Sequence, residues 1–270
     1  MRAALLCLCP MVATLEARPA AAPAPVCDGR SIAVDTVDVP LGSPLVSGER
    51  MTAFTTHVYV SRTGAADVQQ QSTNTISFAD SGGARLVRVL SQTRASTPNG
   101  PMDLTTNFAF DRRSLALREM RSTSPRGEMR LRAQEGGVEV SMPTPAGPSS
   151  GRVALAQPGF YGPWSDFVVE ELPHKPGTTY RLHLWQPAPP GPNGPSLKEE
   201  THLYTFTGRE DVEVRGTKHA RAWVVEDHAP DGKLLGTMWI VDGPPKLVRW
   251  TIRRDDGGTV QIDQELVHEP

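Results

Sequence analysis

Cysteine is scarce: the chain of 270 residues holds three, Cys7, Cys9 and Cys27. Cys7 and Cys9 fall in an apolar amino-terminal stretch. Cys27 is then the sole cysteine of the remaining chain, which excludes an intrachain disulfide and a cysteine metal cluster there. An excess of one charge is also lacking, with 28 Lys and Arg against 30 Asp and Glu. That balance argues against nucleic acid as a partner. Beyond the amino terminus no apolar run approaches the roughly 20 residues of a membrane-crossing helix, so no transmembrane segment is expected. G-x-S-x-G, H-E-x-x-H, a P-loop and a dinucleotide-binding glycine motif are all missing, although triads are recognised by geometry rather than by motif. No cofactor and no resident metal are expected, and the chain reads as a non-enzyme.

Turn formers are plentiful. The chain has 24 Gly and 25 Pro, more than average usage, which favours turn-rich β architecture over helices. Met1-Arg2 gives a short positive start, Ala3 to Leu15 is apolar, and small residues come next at Ala20, Ala21, Ala22 and Ala24. This is the pattern of an export signal, so the expected location is periplasmic or secreted. The expected organisation is a signal peptide over 1–24, a linker over 25–48 and a single β domain over 49–270. Cys27 is read as a spare thiol of the linker, since Pro25-Val26 before it is a poor lipidation signal.

Strand signals fill the domain. Short alternating runs bounded by Gly, Pro and Asp begin at Met51–Ser61 and continue through Thr73–Phe78, Ala84–Thr93, Asp103–Phe110, Leu115–Thr123, Glu128–Ala133 and Gly137–Met142. A break rich in Pro, Gly, Ala and Ser covers Pro143–Gly159. The run from Thr179 to Val267 then reads as an antiparallel meander, with a long hairpin loop at Pro187–Pro195. One helix is expected, Pro163–Leu172: Pro163 suits a first helical position and Pro173 stops continuation. Trp164, Phe167, Val168 and Leu172 share one face of it, whereas Asp166, Glu170 and Glu171 lie away and read as its solvated side. So short a helix must dock on the sheet. The fold class is mainly β, an antiparallel curved sheet or half-open barrel wrapped around one short α-helix.

Alternation also suggests registers. Centring a turn on Asp242-Gly243-Pro244-Pro245 sets Trp239 opposite Val248 and Thr237 opposite Trp250, with both tryptophans on one face. A turn at Asp231-Gly232 sets Val224 opposite Trp239. An odd loop through Asp255-Asp256-Gly257 pairs Trp250 with Ile262 and Ile252 with Val260. One wall is thereby expected to gather Ala222, Val224, Trp239, Val241, Val248, Trp250, Ile252, Val260 and Ile262. Pairing Gln186 with Glu199 would bring His183 opposite His202.

The order of elements, with Gly208, Glu210, Val212, Gly216, Ala220, Ala222, the GTMWIVD strand, PPKLVRW and the upstream NFAFDRRSLALREMRS, resembles a bacterial family of periplasmic domains of unknown function. That family is similar in turn to the lipoprotein carriers with a half-open β-barrel. The resemblance spans roughly Met51 to Val267. It implies a sheet wrapped around a helix, with an apolar concavity able to take acyl chains, and no catalytic residue.

The expectation is therefore an exported binding protein that holds a lipid or other apolar ligand between helix and sheet. Its contacts would be Trp164, Phe167, Val168, Leu172, Val224, Trp239, Val248, Trp250 and Ile262. One alternative is an envelope structural or assembly protein that meets a protein partner through the arginines at 112, 113, 118, 121, 126, 130 and 132 or through an exposed sheet edge. Another is a hydrolase or metalloenzyme built on His183 and His202.

Overall fold

The computed structural model describes residues 35–62, 69–97, 100–144, 147–191 and 194–267. The expected signal peptide and Cys27 lie outside the described residues. Within these, sixteen strands and one helix run in order: β1 Thr36–Asp38, β2 Phe54–Arg62, β3 Gln70–Ser81, β4 Ala84–Thr97, β5 Gly100–Asp111, β6 Leu117–Ser124, β7 Gly127–Gln134, β8 Gly137–Thr144 and β9 Gly147–Ala154. After them come β10 Phe160–Tyr161, α1 Ser165–Glu171, β11 Thr179–Gly191, β12 Gly194–Val214, β13 Thr217–His228, β14 Leu234–Ile240, β15 Leu247–Arg253 and β16 Thr259–Leu266.

All strands belong to one sheet. Its order is β1-β11-β12-β13-β14-β15-β16-β2-β3-β4-β5-β6-β7-β8-β9, with β10 also on β11. Consecutive strands from β2 to β9 and from β11 to β16 pair antiparallel, whereas β1 and β10 pair parallel with β11. β16 joins the two halves by pairing antiparallel with β2, Ile262 opposite Val60. The tight hairpins use backbone that right-twisted strands require: Gly82 and Gly83 connect β3 and β4 with φ of 58° and 81°. The sheet does not close. β9 comes against the β11–β12 hairpin without pairing to it, Gly151 facing the Pro195 ring.

The curved sheet encloses α1. A 3-10 turn at Gly162–Trp164, with Pro163 in its first turn, leads into the helix, and Leu172 turns to extended backbone ahead of Pro173. Phe167, Val168, Val169 and Leu172 are buried. Phe167 and Trp164 meet Phe110 and Phe108 edge-on, with Trp164–Phe108 ring centroids 5.1 Å apart. Such contacts add to the burial of large rings. On β2–β6 the inner face changes from this apolar floor to a row of small polar side chains: Thr56, Asn74, Ser91, Thr106 and Ser122 stand opposite one another across five strands. Thr106 and Ser122 hydroxyls bond at 2.9 Å, and those of Ser72 and Thr93 at 2.8 Å.

Several expectations are corrected. Asp166, Glu170 and Glu171 are buried rather than solvated, because the sheet surrounds the helix on its polar side as well. The latter part of the expected linker belongs to the domain: β1 pairs with β11, and Val39 and Val46 enter the core. The Pro143–Gly159 break contains β9, whose polar composition suits an edge. Within the expected loop Pro187–Pro195, β11 runs on to Gly191 and β12 starts at Gly194.

The expected tryptophan wall is split in two. Trp239 pairs with Arg249, but Ile240 pairs with Leu247, so Val248 is an extra residue of β15. This bulge shifts the alternation by one residue. Met238 then stands opposite Trp250, and Trp250 opposite Ile262. Trp250 packs on the main core. Trp239, Val241, Val248 and Ala222 form a separate cluster with Val212 and Val214. Two bulges in β12, near Gly208 and Asp211, let the β12–β13 hairpin end cover the outer face of the sheet. There Arg215 lies 3.7 Å from the centroid of Tyr59, and Trp239 Nε1 donates to Glu210 Oε1 at 2.6 Å.

Candidate functional site

A cleft of about 920 Å³ opens where the start of α1 meets the inner face of β11–β16. Gly162, Pro163 and Ser165 form its helical side. Leu184, Leu235, Trp250, Ile252 and Ile262 supply an apolar wall. Alternation along β12 aims Glu200, His202 and Tyr204 into it, and β13 adds Asp227. Gln186, Lys198, Lys233 and residues 253–256 surround the mouth.

The polar patch on this wall is ordered. His202 Nδ1 lies 2.8 Å and 3.1 Å from the two carboxylate oxygens of Asp227. Asp227 is almost wholly buried. Burial raises its pKa, while the His202 hydrogen bond pulls the other way. The Tyr204 hydroxyl donates to Ser165 Oγ at 3.2 Å, and its ring stacks on His202 with centroids 5.9 Å apart. Burial, helped by the Asp227 charge, holds the Tyr204 hydroxyl well above its ordinary pKa. The rim charges pair off locally: Lys198 with Glu200 at 2.6 Å, Lys233 with Asp255 at 2.8 Å and Arg254 with Asp256 at 2.7 Å.

Beside the cleft, α1 carries its three buried acids. Asp166, next to Ser165, is pushed up to about 7, mainly by burial. Glu170 is pushed up to about 8 by burial and by the neighbouring Asp166, against the Leu247 amide and Lys246. Glu171 is held by Arg50 Nε at 3.0 Å and by the Lys246 ammonium.

Of the residues expected to bind a ligand, Trp250 and Ile262 line the cleft. Trp164, Phe167, Val168 and Leu172 are packed in or against the core beside it. Trp239 and Val248 lie in the outer-face cluster, and Val224, opposite Trp239, shares that side. His183 pairs with Thr201 and His202 with Leu182, a one-residue slip from the expected register that sets the two imidazoles on opposite faces. His183 Nε2 instead meets Glu199 at 2.9 Å. Among the described residues no group of three His, Cys, Asp or Glu side chains is placed to hold a metal ion. No described helix is long and apolar enough to cross a membrane. The His202–Asp227 pair escapes sequence reasoning. Its signal is the alternation of Glu200, His202 and Tyr204, but the partner strand's register is not legible.

No family model matches the chain, and no curated protein matches it. Among solved structures it is similar to a β-barrel-like protein of a domain of unknown function from Brucella abortus. The match has a TM-score of 0.46 and 11% identity, over 80% of this chain and 98% of that one.

Proposed function

We propose that this is an exported, non-enzymatic binding protein that holds the apolar part of a lipid or other acyl-bearing amphiphile between the start of α1 and the curved sheet. The observation that carries the reading is the cleft of about 920 Å³ walled by Leu184, Leu235, Trp250, Ile252 and Ile262. It falls in the range of roughly 300–1,000 Å³ typical of small-molecule sites. An apolar wall beneath a charged rim suits a ligand with a greasy tail and a polar head, since transfer of the tail from water supplies the driving force. The amino-terminal apolar stretch supports export, and the resemblance in element order to a periplasmic family that is itself similar to lipoprotein carriers supports the class of ligand.

The assembly-protein alternative draws less support. Arg118 pairs with Asp111, and Arg121 and Arg130 both pair with Glu128, so part of that stripe is neutralised.

Delipidated protein titrated with palmitate should show a saturable change in tryptophan emission. Trp250→Phe should remove most of the signal and Ile262→Glu should abolish binding. The absence of saturable binding by any acyl ligand, or full affinity in Ile262→Glu, would overturn the reading.

A further inference from the structure

We infer that His202 and Asp227 select the head of the ligand, favouring an uncharged group that donates an O–H, such as a monoacylglycerol, over an acylate or a fully esterified chain. The inference rests on the binding reading above and assigns its polar end. Both oxygens of the buried Asp227 carboxylate lie within 3.1 Å of His202 Nδ1, the arrangement of one N–H shared between two acceptors. A carboxylate on one ring nitrogen holds the proton there and leaves the other as an acceptor. His202 Nε2 hydrogen-bonds to none of the described residues, and the ring lines the cleft, so the wall presents an acceptor to the ligand.

Ser165 supplies the opposite polarity. Its Oγ accepts the hydrogen bond that the Tyr204 hydroxyl donates, so its own O–H is left to donate. An acceptor and a donor on one cleft match a hydroxyl, which is both. A methyl ester offers no donor to Nε2. An acylate would bring a charge toward the buried Asp227 carboxyl group, and the rim cations Lys198, Lys233 and Arg254 are already paired. The exposed Arg253 is the remaining cation among the residues lining the cleft.

The test measures 1-monopalmitoylglycerol, palmitate and methyl palmitate by displacement of one fluorescent acyl probe. The monoacylglycerol should bind about three- to tenfold more tightly than the methyl ester, the worth of one neutral hydrogen bond. Asp227→Asn turns a side-chain amide donor toward Nδ1 and moves the ring proton to Nε2, so the preference should vanish or reverse. Nitrogen-15 NMR of His202 should report the same tautomer change without any ligand. If Asp227→Asn does not fold, the double variant His202→Leu with Asp227→Leu should lose the preference for the monoacylglycerol over the methyl ester. Equal binding of all three ligands, tightest binding of palmitate, or a preference that survives loss of the pair overturns this inference alone. Failure of all three to bind overturns the binding reading with it.

Discussion

The Leu247 backbone amide donates to Glu170 Oε1 over 2.9 Å, fastening the helix to the strand that carries Trp250. Glu170 is also one turn from Asp166, so this tie runs through a pair of buried acids that repel when both are charged.

The first expected outcome concerns pH. Asp166 and Glu170 hold their protons in the folded chain up to about 7 and about 8, but ionise near 4 when unfolded. Between those limits the folded state binds more protons, so stability falls as pH rises. Their unfavourable contribution is absent below about pH 4 and complete above about pH 8. Asp166→Asn with Glu170→Gln should flatten this slope and raise the melting temperature at pH 8 by about 2–4 °C for each kcal/mol recovered. Melting curves over the pH series check it; an unchanged slope would contradict the burial argument.

The Glu171 clasp should be asymmetric. Its side chain is 1% exposed, whereas that of Arg50 is 63% exposed. Removing both cations with Arg50→Met and Lys246→Met strands a buried carboxylate and should cost about 3 kcal/mol. Glu171→Gln leaves cations that can reach water and should cost less. Urea denaturation of the two variants gives the ranking.

Gly236 is expected to be intolerant of a methyl group. A Cβ there would sit 2.6 Å from the Thr251 carbonyl oxygen and 3.0 Å from Trp250 Nε1. Gly236→Ala should cost about 1–3 kcal/mol through overpacking, displace the indole and weaken palmitate binding. Emission spectra and the titration together read both effects.

The outer-face cluster should behave independently of the cleft. Val214 is fully buried there. Val214→Ala should destabilise the chain by about 1–3 kcal/mol and leave palmitate affinity unchanged, as calorimetry can measure.

Particular residues explain which features can be read in the sequence. Pro163 and Pro173 bracket the helix, and the Trp250–Ile262 and Val224–Trp239 pairs come directly from alternation across tight turns. Alternation alone sets Trp239 and Trp250 on one wall, because Val248, apolar and acceptable on either face, hides the bulge. The His202 register slips because the long β11–β12 connection offers no turn to anchor it. The acids of α1 look solvated because their partners are remote: Arg50 lies 121 residues before Glu171, and Lys246 comes 75 after it. Helical periodicity separates polar from apolar faces, but it does not distinguish water from partners that distant parts of the chain supply.

The unclosed seam has a consequence for self-association. Unpaired backbone at a sheet margin can template another chain into a fibril. Here one margin, β11, is shielded by the short parallel strands β1 and β10. The other, β9, carries Pro148, Gly147, Gly151 and Arg152, a composition that withholds an amide donor and adds charge where a docking strand would need a continuous ladder. The curved sheet can thus stay open along one side without inviting its own polymerisation.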